Sequence, residues 1–253
     1  MISNYIRSAA RNFSRNKFYT FLNILGLSLG LTATFFILLY IRDELGYDKH
    51  FSKHERIYRL EGDFTINNKH DRFAVSSSAI APALKIEFPE IEKFCRFASN
   101  DNAVLKFREK EFFEKQIYFA DSTAPDIFTL NFIEGIPDNS LNEPNTIILS
   151  ESTAKKYFGS DPAFGKTLIT GSGNSFKITG VFKDLPDNTH FKFDMLMSMN
   201  TLAKLFGRER FNSLEPGAFW NVSMYSYILL KPNSSIKKKK KKFPSVYNKY
   251  MKE

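Results

Sequence analysis

The sequence predicts an α+β protein in which one N-terminal transmembrane helix precedes a mixed α/β extracytoplasmic domain. A block of 24 uncharged residues, Phe18–Ile41, lies near the start of the chain. After it, short patterns typical of strands interleave with short patterns typical of helices. The 253 residues are 43% hydrophobic and 25% charged, which is the composition of a globular protein and excludes fibrous and fully disordered classes.

The uncharged block has the length of a membrane span. At 1.5 Å per residue it would extend about 36 Å, more than the roughly 30 Å of a bilayer core. A cleaved signal peptide is the competing interpretation, but it needs a shorter apolar region and a small-residue cleavage site. The block instead ends in Arg42, Asp43 and Glu44. We therefore expect an uncleaved transmembrane helix over 18–41, with helical structure continuing through 42–50.

The charges that flank the block predict its orientation. Residues 1–17 lack acidic side chains and contain four basic ones: Arg7, Arg11, Arg15 and Lys17. The positive-inside rule then places 1–17 in the cytoplasm and 42–253 outside it. The arginines are four residues apart, so they would share one face of a helix. Such an amphipathic helix would lie on the inner leaflet of the membrane. The alternative is a topology signal with no further role.

Small residues recur on one side of the predicted span. Gly26 and Gly30 form a G-x-x-x-G pattern, Thr34 continues the four-residue spacing, and Asn23 lies near the same face. Small side chains let a second helix approach closely, and an asparagine can donate hydrogen bonds across the contact. These four residues are the predicted helix-packing face. The alternative is a helix that stands alone in lipid.

The charge distribution argues against a nucleic-acid partner. Net charge is +9, from 36 basic and 27 acidic residues, but six of the lysines form one run, Lys237–Lys242. The rest of the chain is only mildly basic, so no basic binding face is predicted. The run itself is either a solvated or anion-binding helix or the translation of a slipped adenine tract. The single cysteine, Cys95, excludes an intramolecular disulfide and any cysteine-based metal site.

Local patterns predict the elements of the exported part. Strands are expected near 56–66, 72–75, 146–149, 191–198 and 225–231, and hairpins over 103–113 and 166–182. Helices are expected over 76–88, 151–158 and 235–251. The best-defined of these is 151–158, because Ser150 can cap its start and Gly159 follows its end.

No pattern in the sequence indicates catalysis, so we predict no catalytic residue, cofactor or metal. His50 and His54 could share a helical face, but basic neighbours and the lack of a third ligand favour a solvated loop. The G-x-S-x-G at Gly26–Gly30 lies inside an apolar helix, where it has neither a strand–turn–helix elbow nor a base. The loop Gly159–Thr167 is similar to a phosphate-binding loop but has one residue too many between its glycines.

Several segments, taken together and in order, resemble ABC-transporter permeases of the FtsX/MacB superfamily and their MacB-like periplasmic core domain. No single motif is decisive, but the order is specific. The resembling segments run along nearly the whole chain: 5–13 with 16–17, 23–31, 43–48, 56–59, 88–92, 120–122, 144–159, 165–168, 180–186 and 190–194.

The resemblance implies an architecture for the exported part and a location. The periplasmic module would consist of a split α/β unit, here about 50–90 and 215–253, and a strand-rich inserted subdomain, here about 91–214. The membrane would be the bacterial inner membrane, crossed once by the chain as given. Family permeases have at least four spans, so the resemblance also implies that this is the N-terminal piece of a longer permease.

The resemblance implies a function without catalysis in this chain. A separate ABC-type ATPase subunit, bound through the missing C-terminal part, would hydrolyse ATP, and the permease would transmit the motion to the extracytoplasmic domain for efflux or mechanotransmission. Other permease helices or a second permease copy would pack against the span. The alternative is a stand-alone, single-span envelope protein that binds a ligand or partner through its exported domain.

Overall fold

The computed structural model describes residues 2–66, 69–100, 103–236 and 242–251, and the chain divides into two compact units between Tyr47 and Asp48. The first unit holds helices α1 (Ile2–Arg15) and α2 (Lys17–Glu44). Asn16 leaves the helical region with φ −112° and ψ 56°, so it separates the two helices. The predicted continuation over 42–50 was wrong beyond Glu44, because turns follow it and Asp48 takes a positive φ of 59°.

The second unit contains all the strands that the structure describes. A short 3-10 turn, His54–Arg56, leads into the first of them. The strands are β1 (Ile57–Leu60), β2 (Gly62–Ile66), β3 (Lys69–Phe73), β4 (Ser76–Ser77), β5 (Ile91–Ser99), β6 (Ala103–Phe107), β7 (Lys110–Glu114), β8 (Ile117–Ala120), β9 (Phe132–Gly135), β10 (Thr146–Ser150), β11 (Thr167–Thr170), β12 (Ser175–Phe182), β13 (Met195–Ser198) and β14 (Val222–Leu230).

The helices of the second unit are short and lie between these strands. Three have only four residues, so tertiary packing and not intrinsic propensity holds them in place. The helices are α3 (Ile80–Glu87), α4 (Ala124–Ile127), α5 (Glu151–Phe158), α6 (Met199–Phe206), α7 (Arg208–Phe211), α8 (Pro216–Phe219) and α9 (Phe243–Met251).

One mixed sheet joins twelve of the described strands. Its order is β1-β14-β5-β8-β13-β10-β12-β11-β6-β7, with β4 also pairing β14 and β9 also pairing β12. The β8–β13 and β10–β12 pairs are parallel, and the other pairs are antiparallel. Strands β2 and β3 form a separate antiparallel pair. This sheet after one apolar helix confirms the predicted fold class; the limits of the split unit and of the inserted subdomain stay predictions.

The element with the clearest local signals folds as the sequence indicates. Strand β10 is buried along its whole length, between β12 and β13. The Ser150 hydroxyl accepts a hydrogen bond from the Thr153 amide and so caps α5. Gly159 follows α5 with φ 67°, a conformation that glycine adopts without a Cβ clash. The β6–β7 and β11–β12 hairpins are also confirmed.

Other predicted boundaries move because long-range pairing replaces a local pattern. The expected strand over 56–66 divides into β1 and β2, which belong to different sheets. The expected helix over 76–88 starts only at Ile80, because Ser76 and Ser77 pair with β14. The expected strand over 191–198 shortens to β13, and the helix expected from 235 is observed as α9. Within that last prediction, 237–241 lie outside the described residues.

Three buried clusters form the core of the second unit. The first is aromatic and centres on Phe97, whose ring contacts Phe128, Phe191, Phe193 and Tyr227. In the second, α5 packs against the sheet around β10, and in the third, α3 and α9 pack on β14 and its neighbours. Much of the unusual phenylalanine content thus lies in the core, where rings contribute large apolar area and edge-to-face contacts.

Candidate functional site

Helix α2 is the only helix in the described ranges that is long and apolar enough to cross a membrane. Its 28 residues correspond to about 42 Å of helix. None of its side chains is buried in the structure, so its apolar surface is free to meet lipid or other helices. The site residues predicted from sequence for the membrane part all lie on α1 and α2.

The predicted helix-packing face lies along α2, and its four residues are exposed. A Cβ built on Gly26 or Gly30 would meet nothing within 4 Å. The Thr34 hydroxyl donates 2.9 Å to the Gly30 carbonyl, so its polar group is satisfied within the helix. Asn23 is exposed on the same helix. The geometry permits close approach of a second helix, and the packing role of these four residues stays a prediction.

The predicted basic residues lie across the junction of the two helices. Arg7, Arg11 and Arg15 are exposed on α1, four residues apart, and Lys17 starts α2. At the junction the Asn16 side chain donates 2.9 Å to the Asn12 side-chain oxygen. The contact of these cations with an inner leaflet stays a prediction.

The second unit begins with residues 48–56, called here the leading segment. Polar contacts attach this segment to the rest of the domain at both ends. At its start, the Asp48 carboxylate accepts from the His190 amide at 3.1 Å and lies 2.7 Å from His190 Nδ1. The Asp48 amide donates to the Asn188 carbonyl at 3.0 Å. At its end, Arg56 donates to Glu92 at 2.9 Å and to the Leu230 carbonyl at 2.8 Å.

The middle of the leading segment is fixed by burial and by a carboxylate shared between two lysines. Phe51 is 4% exposed and its ring lies 5.2 Å from that of Phe128. Lys53 and Lys93 both donate to the Asp126 carboxylate, at 2.7 and 3.0 Å. Burial opposes the charge of Asp126, but the two lysines outweigh it and lower the pKa of the carboxyl group. The leading segment is therefore held along its whole length.

Behind Asp48, His190 connects the leading segment to the sheet. Its Nε2 lies 3.2 Å from the Tyr227 hydroxyl, on β14. Burial raises the pKa of Tyr227, which therefore stays protonated. With the proton on Nδ1, the imidazole donates to Asp48 and its Nε2 accepts from Tyr227. Asp48 and His190 come from two segments that carry the permease resemblance, but nothing in the sequence indicated that they meet.

The two histidines considered for a metal site make other contacts. The His50 ring lies 3.9 Å from the Phe51 ring, and its Nε2 is 3.3 Å from the Thr189 hydroxyl. His54 Nδ1 lies 3.0 Å from the Phe51 carbonyl oxygen. Burial lowers the pKa of His50, although Asp48 acts in the opposite direction. The described residues include no group of three or more His, Cys, Asp or Glu side chains placed for a metal.

In the loop Gly159–Thr167, which is similar to a phosphate-binding loop, two backbone amides already donate hydrogen bonds to a carboxylate. Glu134 accepts hydrogen bonds from the amides of Ala163 and Phe164, at 3.0 and 2.7 Å. A carboxylate thus stands where a phosphate would need to bind. The loop follows helix α5, whereas a phosphate-binding loop follows a strand. Its role in this structure is to connect α5 to β11.

A buried ion pair supports a groove near the start of β14. Arg96, whose side chain is 5% exposed, donates to both oxygens of Asp121 at 2.9 Å and to the Ser78 carbonyl at 3.2 Å. Burial opposes the charge of Arg96, but Asp121 outweighs it and raises the arginine's pKa. The guanidinium also lies 5.4 Å from the Phe211 ring. Arg96 thereby holds α7 against the sheet, and sequence patterns gave no sign of it.

The groove that results, called here the α6–α8 groove, has a volume of about 800 Å³. Its floor includes Ala98 and Met224, which pair across β5 and β14, and its walls include Leu202, Phe206 and Phe211. Most of its surface is apolar.

One N-terminal apolar helix followed by this α/β domain is the architecture of a membrane-anchored protein with an extracytoplasmic domain. The family model described as MacB-like periplasmic core domain matches residues 20–245. The chain therefore belongs to the MacB-like periplasmic core domain family, whose members are parts of ABC transporter permeases that work with ATPase subunits. No curated protein matches the chain at a significant level.

Solved structures show the same fold. A domain of a protein described as a permease, from Porphyromonas gingivalis, is 24% identical, with 80% of this chain and 84% of that chain covered and a TM-score of 0.67. The periplasmic region of MacB from Actinobacillus actinomycetemcomitans is 17% identical and has a TM-score of 0.53, with 76% of this chain and 81% of that chain covered. The extracellular domain of the noncanonic ABC-type transporter YknZ from Gram-positive bacteria is 16% identical and has a TM-score of 0.51, with 76% of this chain and 91% of that chain covered.

Proposed function

We propose that this chain is part of an ABC transporter permease subunit that transmits ATPase-driven motion across the membrane to its extracytoplasmic domain, in efflux or mechanotransmission. Membership of the MacB-like family supports the transporter assignment. ATP hydrolysis is assigned to a separate ABC-type ATPase subunit, because the described residues offer no phosphate-binding loop. The contact with the ATPase subunit is assigned to the membrane part of the permease and not to the extracytoplasmic domain.

The observation that carries the proposal is the attachment of the leading segment. A displaced membrane helix moves a domain only if the chain that joins them does not swing freely. Here the joining chain becomes fixed at Asp48, four residues after α2 ends, by two contacts to His190. Further along, Phe51 and Lys53 add a buried ring and an ion pair.

The membrane part of the proposal assigns a role to each predicted residue. Helix α2 crosses the bacterial inner membrane once, with 1–17 cytoplasmic and 42–253 periplasmic. The predicted basic residues set this orientation and contact the inner leaflet. The predicted helix-packing face meets other permease helices or a second permease copy. A reporter active only outside the cytoplasm, fused after 251, should be active; an inactive fusion in a stable chain would contradict the orientation.

The transporter assignment is tested by purification from native membranes. A chromosomally tagged copy, solubilised in mild detergent, should retain an ABC-type ATPase whose ATP hydrolysis is measurable in the eluate. The matched control is the same tag on an unrelated single-span protein. If the protein, expressed from its native locus, never co-purifies with such an ATPase, the transporter assignment fails and the stand-alone envelope protein replaces it.

Transmission is tested by hydrogen exchange in the assembled complex. We expect ATP with vanadate to change exchange in the leading segment and in 184–194. The Asp48→Asn/His190→Gln variant should bind the ATPase normally but lose this change. The matched control is Asp187→Asn, which removes a solvent-exposed ion pair with Lys192 in the same loop. An unchanged response in the double variant would refute transmission through this contact while leaving the ATPase partnership intact.

A further inference from the structure

Helix α2 carries a tyrosine near each end, and the distance between the two matches the thickness of a bilayer. Tyr19 and Tyr40 are 71% and 69% exposed. At 1.5 Å per residue the helix rises about 32 Å from one to the other, against roughly 30 Å for a bilayer core. Tyrosine is enriched at both membrane interfaces, because its ring prefers the apolar side and its hydroxyl prefers the headgroups. The spacing therefore places Tyr19 at one interface and Tyr40 at the other.

Charged residues just outside the two tyrosines restrict how far α2 can slide. Lys17 begins the helix, and three charged residues end it: Arg42, Asp43 and Glu44. A shift of one helical turn, about 5.4 Å, would draw charged groups of one end into the hydrocarbon, whichever way the helix moved. Because a charge in the hydrocarbon is costly, the helix is held at one depth.

The turn that follows α2 stays hydrogen-bonded to the last turn of the helix. The Leu45 amide donates to the Ile41 carbonyl at 2.9 Å. The Gly46 amide donates to the Asp43 carbonyl, also at 2.9 Å. The helix itself ends about 6 Å beyond the outer tyrosine, which is within the headgroup layer of a bilayer about 40–45 Å thick in total. Residues 45–47 therefore lie at the level of the headgroups.

Two large apolar or aromatic side chains project from this turn. Leu45 is 64% exposed and Tyr47 is 40% exposed. Apolar side chains at the boundary between headgroups and acyl chains are removed from water, which is favourable, whereas they gain nothing in solvent. A tyrosine at the same level keeps its hydroxyl in the wet headgroup layer while its ring lies deeper.

From these observations we infer that Tyr40, Leu45 and Tyr47 form an anchor, called here the outer anchor, in the lipid interface of the extracytoplasmic leaflet. Its partner is the phospholipid boundary between headgroups and acyl chains. The outer anchor directly precedes Asp48, where the leading segment is fixed to the domain. It therefore places the start of the leading segment at the lipid surface. The inference rests on the proposed membrane span of α2 and is independent of the ATPase subunit.

The test is depth-dependent quenching of tryptophan fluorescence by brominated phospholipids. Trp220 is the single tryptophan of the chain, so Trp220→Phe gives a background without tryptophan emission. Leu45→Trp and Tyr47→Trp are introduced singly into it, and the full chain is reconstituted alone in phosphatidylcholine vesicles. Each variant should lose more emission to lipids brominated near the headgroup than to lipids brominated near the bilayer centre.

Two reference positions calibrate the measurement. Leu29→Trp, near the middle of α2, should show the opposite preference and lose more emission to the deep bromines. Trp220 of the unmodified chain, which is 71% exposed on the extracytoplasmic domain, should lose little emission to either lipid. Leu45 and Tyr47 are exposed, so the fold is expected to tolerate both substitutions, and circular dichroism checks this.

Three results would overturn the inference. The first is that Leu45→Trp and Tyr47→Trp escape both lipids while Leu29→Trp is quenched, which places the turn in water. The second is that deep bromines quench them most, which contradicts the depth of α2. The third is that Trp220 is quenched as strongly, so that the turn is not a specific contact. If Leu29→Trp itself escaped quenching, the proposed membrane span would fail as well, so the two failures are distinguishable.

Discussion

The leading segment and the α6–α8 groove lie on the same domain but differ in how their groups are satisfied. In the leading segment, Asp48, Lys53 and Arg56 each have a partner inside the domain, and Phe51 is buried. In the groove, Arg210 and Glu215 have no ion pair among the described residues, and the Phe206 ring is largely exposed. The side chains of the first region are satisfied by contacts within the domain, whereas the second region leaves charged and apolar side chains exposed to solvent.

The largest expected effect is at the ion pair that supports the groove. Arg96→Ala leaves the Asp121 carboxylate largely buried without its partner, which costs about 3–5 kcal/mol. Urea unfolding of the chain in detergent, followed by fluorescence, measures this change. Arg96→Lys is the informative control, because it keeps the charge but loses the two-oxygen contact. A loss below about 1 kcal/mol for alanine would show that α7 is held by packing alone.

The same substitution in the two regions tests the comparison directly. Phe51→Ala removes a buried ring and should cost about 3–4 kcal/mol of unfolding free energy. Phe206→Ala removes an exposed ring and should change it by no more than about 0.5 kcal/mol. Equal losses would contradict the distinction between an internally packed segment and an open surface. Unfolding curves of both variants at the same pH give the answer.

The contact at the start of the leading segment should have a smaller effect on global stability and a clear local one. Asp48→Asn keeps the side-chain shape but removes the charge beside His190, at a cost of about 0.5–1 kcal/mol because both groups are partly exposed. Hydrogen exchange should accelerate in 48–54 and 188–190 and stay unchanged on β10. Uniform acceleration over the domain would mean that the contact supports the whole fold.

The smallest expected effect is a pH dependence that arises from His50. Burial lowers the pKa of His50 in the folded chain relative to its value of about 6.5 in the unfolded chain. As the pH falls through 6.5, the unfolded state therefore binds more protons than the folded state. Stability should therefore fall as pH decreases from about 7 through that window. His50→Gln should make this fall shallower, as seen in melting temperatures between pH 7.5 and 5.5. An identical slope in the variant would show that other groups cause the fall.

Local signals were sufficient where a few neighbouring residues decide the structure. Ser150 and Gly159 delimit α5 because a cap and a positive φ act within a few positions of the chain. The hairpins and the apolar helix were predictable for the same reason. The predicted helix start near 76–77 was wrong. The two serines are typical of a helix start, but they pair with β14, which lies far along the chain.

By itself, the sequence determined a membrane helix, a capped helix, two hairpins and membership of a family, since each depends on neighbouring residues or on the order of segments. The tertiary structure alone decided that Asp48 meets His190, 142 positions away, and that Arg96 meets Asp121. It also decided which charged residues line the groove. The physical reason is that sheet order, and not local propensity, brings distant segments together, and burial then fixes which polar groups must pair.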